Sequence, residues 1–282
     1  IGTLSIYYGR KYNKKVASYI HSVEFELFAE ALSNTMLQNL AKLLTTRSIN
    51  YIYKKCDLLM VPSLELAEVL TWKGINTKKI LVPLGVDVKR FSPTNQLNKA
   101  KLRDELGIDK DAIVITYVGR LAREKDLKTL LRAFLRIEKK YDNVKLMIVG
   151  SGLEEIENML EDKENVMLMG DQDDVVKYYQ VSDIYVLPSL TETTSLTTLE
   201  AMSCELSVVT TNVGLIKHYI TDGKNGLLFP KKDYITLTEK LDELLKNPSY
   251  RKSLGFHARF TVKEYYSWKY TVKKIKTILK QA

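Results

Sequence analysis

Short apolar runs of strand type alternate along most of this chain with stretches whose apolar positions have helical spacing. IVITYV (113–118) reads as a continuous apolar strand, and the segment behind it puts Leu127, Leu130, Leu131, Phe134 and Leu135 on one helical face. VKLMIV (144–149) opens a second such pair, turned at Gly150, and LEEIENML continues it as helix. NVMLMG (165–170) and LSVVTTNVG (206–214) each add a strand. VSDIYVLPS (181–189) has the alternation and β-branched content of a buried strand, and Pro188 stops it. Behind it Leu196, Leu199, Ala201 and Met202 have helical spacing, with hydroxyls at Thr193 to Ser195 suited to an N-cap. Strands alternating with helices predict a parallel sheet joined by right-handed crossovers, with ligands gathering at the carboxyl ends of its strands.

Those ends carry the candidate chemistry. PSLTETTSLTTLE (188–200) places Glu192 in a strand-to-helix loop and Glu200 in the following helix, with the helix-start N–H groups between them. Such a start favours anions, and two carboxylates beside it suit hydroxyl groups, so a sugar nucleotide satisfies the whole arrangement. A capped helix with two solvated glutamates accounts for the same letters. At the end of the 113–118 strand, Gly119 lets a phosphate approach the backbone, Arg120 offers a planar fork and Lys125 a point charge, a pairing suited to a diphosphate. Read alone, that segment is also a solvated basic loop. Gly150-Ser151-Gly152 fails the dinucleotide fingerprint because Glu155 stands where its third glycine belongs. Asp171-Gln172-Asp173-Asp174 holds an Asp-x-Asp pattern, but it precedes a helix that Asp173 or Asp174 is suited to cap. Three histidines without clustered Cys/His spacing argue against zinc. No nucleophile-elbow glycines surround a serine.

Taken in order, PLGVDVKRFSP (83–93), YVGRLAREKDLKTLLRAF (117–134), LMIVGSG (146–152), VSDIYVLPS (181–189), the two glutamates with seven residues between them, EAMSC (200–204) and DGKNGLLF (222–229) resemble the retaining glycosyltransferases of family four. The resemblance runs from His21 to about Trp268. It implies an α/β fold of two Rossmann-like domains whose parallel sheets face each other across a cleft, the GT-B type. It implies that Gly119, Arg120, Lys125 and Gly150 surround a donor diphosphate, and that Glu200 binds the ribose hydroxyls and Glu192 the transferred sugar. Backbone N–H groups of Thr194, Ser195, Leu196 and Thr197 then face sugar and phosphate. His21 takes an acceptor-side role with Glu24 or Glu26 nearby, although a histidine at a strand end also reads as a helix cap. The implied reaction moves a sugar from a UDP- or GDP-sugar to a glycan or lipid hydroxyl with retained configuration, through Arg120, Lys125, Glu192 and His21. It needs neither metal nor cofactor. The chain departs from the family where Thr193-Thr194-Ser195 replaces Gly-x-Gly, where Glu205-Leu206-Ser207 follows Cys204, where Leu215 to His218 replaces Gly-x-Pro-Glu and where Asp126 follows the lysine. The first and third departures resemble lipid-acceptor members. The second and third, with the short first domain, motivate an alternative: a catalytically inactive sugar-nucleotide or membrane-surface binding module. A phosphorylase or sugar-nucleotide epimerase on a similar fold is the other enzyme class, and no pyridoxal-lysine motif supports the phosphorylase.

At 282 residues and 45% hydrophobic, the chain has material for two cores. Expected are a partial acceptor-side domain over 1–84, a donor-binding domain over 85–262 and a closing helix over 263–282 returning to the first domain. The closing helix is expected to bury a stripe of Val262, Tyr266, Tyr270, Ile275 and Leu279. Residues 1–84 hold three strand candidates and lack the family's glycine-bearing loop, so we expect roughly the first half of the acceptor domain to be missing. Two cysteines, Cys56 and Cys204, fit a reducing cytoplasm, and no apolar run approaches membrane-spanning length. The net charge of +9, concentrated in 10–15, 42–55, 72–90 and 263–280, suits an anionic donor or the inner face of an acidic membrane. Without an aromatic-basic RNA-binding consensus it does not point to nucleic acid.

Overall fold

A computed structural model describes residues 2–20 and 35–281. The chain divides into two compact units, Ile1–Leu84 with Thr271–Ala282, and Gly85–Tyr270. His21, Glu24 and Glu26 lie outside the described residues.

The first unit runs α1 (Gly2–Lys11), β1 (Ala17–Tyr19), α2 (Thr35–Lys55), β2 (Leu58–Val61), α3 (Leu64–Trp72) and β3 (Lys79–Leu81). Its strands form a parallel sheet in the order β1-β2-β3, with Ala17 opposite Leu58 and Leu59 opposite Lys79. The central strand, LLMV, is apolar throughout because both faces are covered. Leu59 and Val61 pack with Ile49, Tyr53 and Leu70 on one side, and Leu58 and Met60 with Val82 and Ile278 on the other. Ser63 starts α3 by accepting the Leu66 N–H at 3.0 Å.

The second unit continues with α4 (Gln96–Glu105), β4 (Ile113–Val118), α5 (Leu127–Ile137), β5 (Val144–Val149), α6 (Glu154–Leu160) and β6 (Val166–Leu168). Then follow α7 (Val176–Val181), β7 (Ile184–Leu187), α8 (Leu196–Ser203), β8 (Ser207–Thr211), α9 (Ile216–Tyr219), β9 (Leu227–Phe229), α10 (Tyr234–Lys246) and α11 (Pro248–Tyr265). All six strands are parallel, in the order β6-β5-β4-β7-β8-β9. The order reverses between β4 and β7, which opens a crevice at their carboxyl ends. The helical stripe expected behind β4 is present: Leu127, Leu130, Leu131 and Phe134 are buried, while Leu135 is only half-buried and Ile137 completes the face. A buried ion network closes the opposite end of the sheet, where Asp183 accepts from Lys99 at 2.8 Å, Arg103 at 2.7 Å and the Val114 N–H at 2.9 Å.

The single closing helix expected over 263–282 is corrected. α11 ends at Tyr265, and α12 (Trp268–Gln281) begins after a break. Val86 causes it: its N–H donates to Tyr266 O at 2.9 Å and its carbonyl accepts from the Trp268 N–H at 2.8 Å, which diverts both groups from the helical ladder. Gly85 permits that approach, since a Cβ there would lie 2.5 Å from Tyr266 O. The break resets the helical phase. Thr271 and Ile278 are buried in α12, whereas Tyr270 and Leu279, expected in the stripe, are 41% and 53% exposed.

Candidate active site

Two glycines bring the ends of β4 and β5 together. Gly150 has φ 129°, and a Cβ on it would lie 2.1 Å from Gly119 O, so no other residue fits without moving the backbone. The two loops are laced by Gly119 N–H to Val149 O at 2.9 Å, Leu121 N–H to Ser151 O at 2.9 Å and Leu153 N–H to Leu121 O at 2.7 Å. Tyr117 from below donates to Arg120 O at 2.7 Å. The Arg120 backbone is therefore fixed while its side chain, 73% exposed, projects from the edge and, among the described residues, pairs only with Glu124 at 3.0 Å. A pair that exposed is worth roughly 0–1 kcal/mol, so the guanidinium is available to an anion.

Lys125 does not stand free as a point charge. Its Nζ lies 2.6 Å from Glu192 Oε1, and the two side chains are 17% and 11% exposed. Ser189 Oγ donates to the same oxygen at 2.8 Å. The Leu190 N–H completes the joint by donating to Glu124 O at 2.7 Å. The loop after β4 and the loop after β7 are thus one body, closed by an ion pair that solvent screens little.

Behind Glu192 the chain is held from β8. Thr211 Oγ1 donates to Ser189 O at 2.6 Å, the Leu215 N–H donates to Thr193 O at 2.9 Å, and Tyr219 OH donates to Thr194 O at 3.1 Å. Gly214, at φ 54°, passes so close that a Cβ would lie 2.0 Å from Glu192 O. The expected hydroxyl cap of α8 is corrected. Ser195 precedes the helix in a left-handed conformation, φ 41°, and makes no side-chain cap bond. That backbone turns its hydroxyl toward Thr198 Oγ1, 2.7 Å away, instead of toward the first amides. Thr194 is buried, and its Oγ1 has no partner among the described residues. Leu196 is 42% exposed at the helix start. The first-turn amides of α8 lack intrahelical acceptors and no acid occupies that turn, which leaves a site for negative charge.

Glu200 sits one turn further along α8, and its Oε2 accepts from Tyr179 OH at 3.0 Å. Burial pushes this carboxyl up to about 7, opposed by the Tyr179 hydrogen bond and by the charge of Arg90. Tyr185 OH donates to Thr197 Oγ1 at 2.9 Å. The structure thus brings Gly119, Arg120, Lys125, Gly150, Glu192, Thr194 to Thr197 and Glu200 to one edge of one sheet. His21, the acceptor-side candidate, lies outside the described residues. The buried phenols of Tyr117, Tyr179, Tyr185 and Tyr219 escaped the sequence reading. The available signal was a tyrosine within aliphatic strands such as IVITYV and IYVL, where a buried hydroxyl needs an acceptor. The expected cap at Asp173 or Asp174 is corrected: Val175 precedes the helix and no side chain caps it, while Asp174 accepts the Val176 N–H at 3.2 Å and pairs with Arg90 at 3.1 Å. No cluster of metal-ligating side chains forms among the described residues.

With the geometry in view, the chain can be set beside known proteins. A sequence model of the family described as glycosyl transferases group 1 matches residues 98–261. The alpha-monoglucosyldiacylglycerol synthase of Acholeplasma laidlawii is 26% identical over 251 residues, covering 86% of this chain and 63% of that protein. A Corynebacterium glutamicum enzyme named GDP-mannose-dependent monoacylated alpha-(1-6)-phosphatidylinositol monomannoside mannosyltransferase is 30% identical, covering 70% of this chain and 55% of its own. The chain therefore spans between about half and just under two thirds of the length of these relatives. Among solved structures, Thermosynechococcus elongatus sucrose-phosphate synthase superposes with a TM-score of 0.81 at 22% identity, over 99% of this chain and 71% of that one. Anabaena HepE in complex with UDP and glucose gives 0.82 at 16% identity, over 100% and 75%. These likenesses show the expected fold, α/β with parallel Rossmann-like sheets of the GT-B type.

Proposed function

We propose, from the premise that this chain belongs to the group 1 glycosyl transferases, that it moves a hexose from a nucleoside-diphosphate sugar to an acceptor hydroxyl with retention of configuration. The observation that carries the reading is the convergence of three anion-accepting features with two carboxylates at the carboxyl edge of one sheet. The features are the projecting Arg120 guanidinium, the Lys125 ammonium and the first-turn amides of α8. As the glycosidic bond breaks, charge grows on the departing diphosphate, and these fixed donors stabilise it without reorganising. No metal is assigned to that task. Glu192, engaged by Lys125 and Ser189, is held to accept hydrogen bonds from sugar hydroxyls and not to attack as a nucleophile, which fits front-face retention. Glu200 takes the ribose.

UDP- and GDP-sugars are the donors to try, since one structural neighbour was solved with UDP and glucose and one relative is named for GDP-mannose. Both named relatives act on lipids, which supports a lipid-linked or glycan hydroxyl as acceptor. An anionic membrane surface is the further partner proposed. α12 contains no acid and carries exposed Lys269, Lys273, Lys276 and Lys280 on one face, although no helix among the described residues is long and apolar enough to cross a membrane. No observation favours the inactive-module alternative. Transfer of labelled sugar from UDP-glucose or GDP-mannose to lipid and glycan acceptors tests the reading in the whole protein. Nucleotide binding without turnover on any acceptor would overturn the transferase and leave a binding module.

A further inference from the structure

Three phenols lie beneath the 194–200 segment, all essentially excluded from solvent: Tyr179 from α7, Tyr185 from β7 and Tyr219 from α9. A buried phenol must find an acceptor. Here all three find theirs in the same seven residues: Tyr219 at Thr194 O, Tyr185 at Thr197 Oγ1, and Tyr179 at Glu200 Oε2 with a second contact of 3.3 Å to Thr197 O. Tyr179 is the one whose acceptor is a titratable side chain. Its ring cannot swing, because Phe91 packs edge-on at 6.0 Å and Tyr185 at 6.2 Å between centroids.

We infer that Tyr179 is a positioning residue for donor recognition: its hydroxyl anchors Oε2 of Glu200 from below and so presents the other carboxylate oxygen to the paired hydroxyls of the donor ribose. The inference rests on the function proposed above and adds to it a residue that touches no ligand. A glutamate side chain has three rotatable bonds, and aiming it on encounter would cost rotamer freedom at each binding event. Anchoring one oxygen to an immobile ring removes that cost in advance, which is preorganisation by a supporting contact. Burial raises the Glu200 carboxyl and the Tyr179 bond opposes that rise, so the phenol favours the ionised form.

Tyr179→Phe deletes the hydroxyl and keeps the packed ring. In the whole protein it should weaken UDP or GDP binding by about fivefold to tenfold, less than the roughly tenfold or greater loss of a direct hydrogen bond to a charged group, because the phenol acts on the ligand only through Glu200. Donor KM should rise by a similar factor with a smaller change in kcat. The loss should not add to that of Glu200→Gln, because both changes remove one unit. Tyr141→Phe is the control. It deletes a phenol–carboxylate bond of 2.7 Å to Asp242 remote from this edge, and nucleotide affinity should not move. A readout without ligand accompanies these: the Glu200 carboxyl, followed by carbon NMR, should titrate at higher pH in Tyr179→Phe than in the wild type. Should Glu200→Gln weaken nucleotide binding while Tyr179→Phe leaves it unchanged, or should the two losses add, the positioning role is overturned and the site reading stands. A wild type that binds no nucleotide overturns the site reading and this inference with it.

Discussion

Glu192 and Glu200 are eight positions apart at one sheet edge, yet the protein treats their carboxylates differently. Glu192 is met by a cation, Lys125 at 2.6 Å, and by the Ser189 hydroxyl. Among the described residues Glu200 is met by a phenol at hydrogen-bonding distance and by no cation there, and burial lifts it to about 7. The first arrangement joins two loops into one body and, in the function proposed above, aims an acceptor at a sugar. The second holds a carboxyl whose ionisation burial opposes and the phenol favours. Position in the sequence does not separate the two roles; the partner each side chain meets across the sheet does.

The largest expected effect comes from taking the cation away. Lys125→Ala leaves Glu192 buried without its counter-charge, so we expect a stability loss of about 2–4 kcal/mol together with a loss in turnover on the order of 10²-fold or more. Arg120→Ala should show a turnover loss of that order with melting temperature unchanged, because its side chain is mostly in solvent. Thermal melts paired with turnover assays separate the two, and equal melting temperatures would mean that the Lys125–Glu192 pair does not join the loops.

Gly150→Ala comes next. A Cβ there meets Gly119 O at 2.1 Å from a backbone at φ 129°, so we expect about 2–3 kcal/mol of destabilisation and a matching fall in nucleotide affinity as the Arg120 loop shifts. Denaturant unfolding checks the first part and calorimetry the second. Retained stability would mean that the two loops separate more easily than their hydrogen bonds suggest.

Acidity gives a graded effect spread over several pH units. The folded state holds a proton on Glu200 that the unfolded chain releases in the ordinary carboxylate range. Its contribution to stability is therefore fully present below that range and is lost as pH rises through about 7. Wild type should lose up to about 3 kcal/mol more than Glu200→Gln between pH 5 and pH 8. Nucleotide affinity should run the other way, rising several-fold more from pH 6 to pH 8 in the wild type than in Glu200→Gln, because ribose hydroxyls bind the ionised carboxylate better. Parallel pH profiles for the two proteins would remove Glu200 from the nucleotide site.

The alternation of apolar strands with helices, and the glycines at strand ends, made the second sheet and its ligand edge legible in the sequence, because those signals are local. Gly119, Gly150, Arg120 and Glu192 could be placed at that edge for the same reason. Other features could not be read. The Lys125–Glu192 pair joins residues 67 positions apart, and the phenols reach their acceptors from three separate elements. No periodicity encodes such meetings. Ser195 looked like a cap because its hydroxyl is suited to one, but a left-handed backbone sent that hydroxyl elsewhere. The break at 266–267 was hidden because the competing partner is Val86, a distant backbone.

The proposed division of labour between the two glutamates can be read by calorimetric titration of UDP or GDP, then of the corresponding sugar nucleotide, into wild type, Glu192→Gln and Glu200→Gln. Glu200→Gln should weaken both ligands by about tenfold or more. Glu192→Gln should leave the bare nucleotide unaffected and lose affinity or turnover only when the sugar is attached. Equal losses of bare-nucleotide affinity in both variants, or none in either, would contradict it.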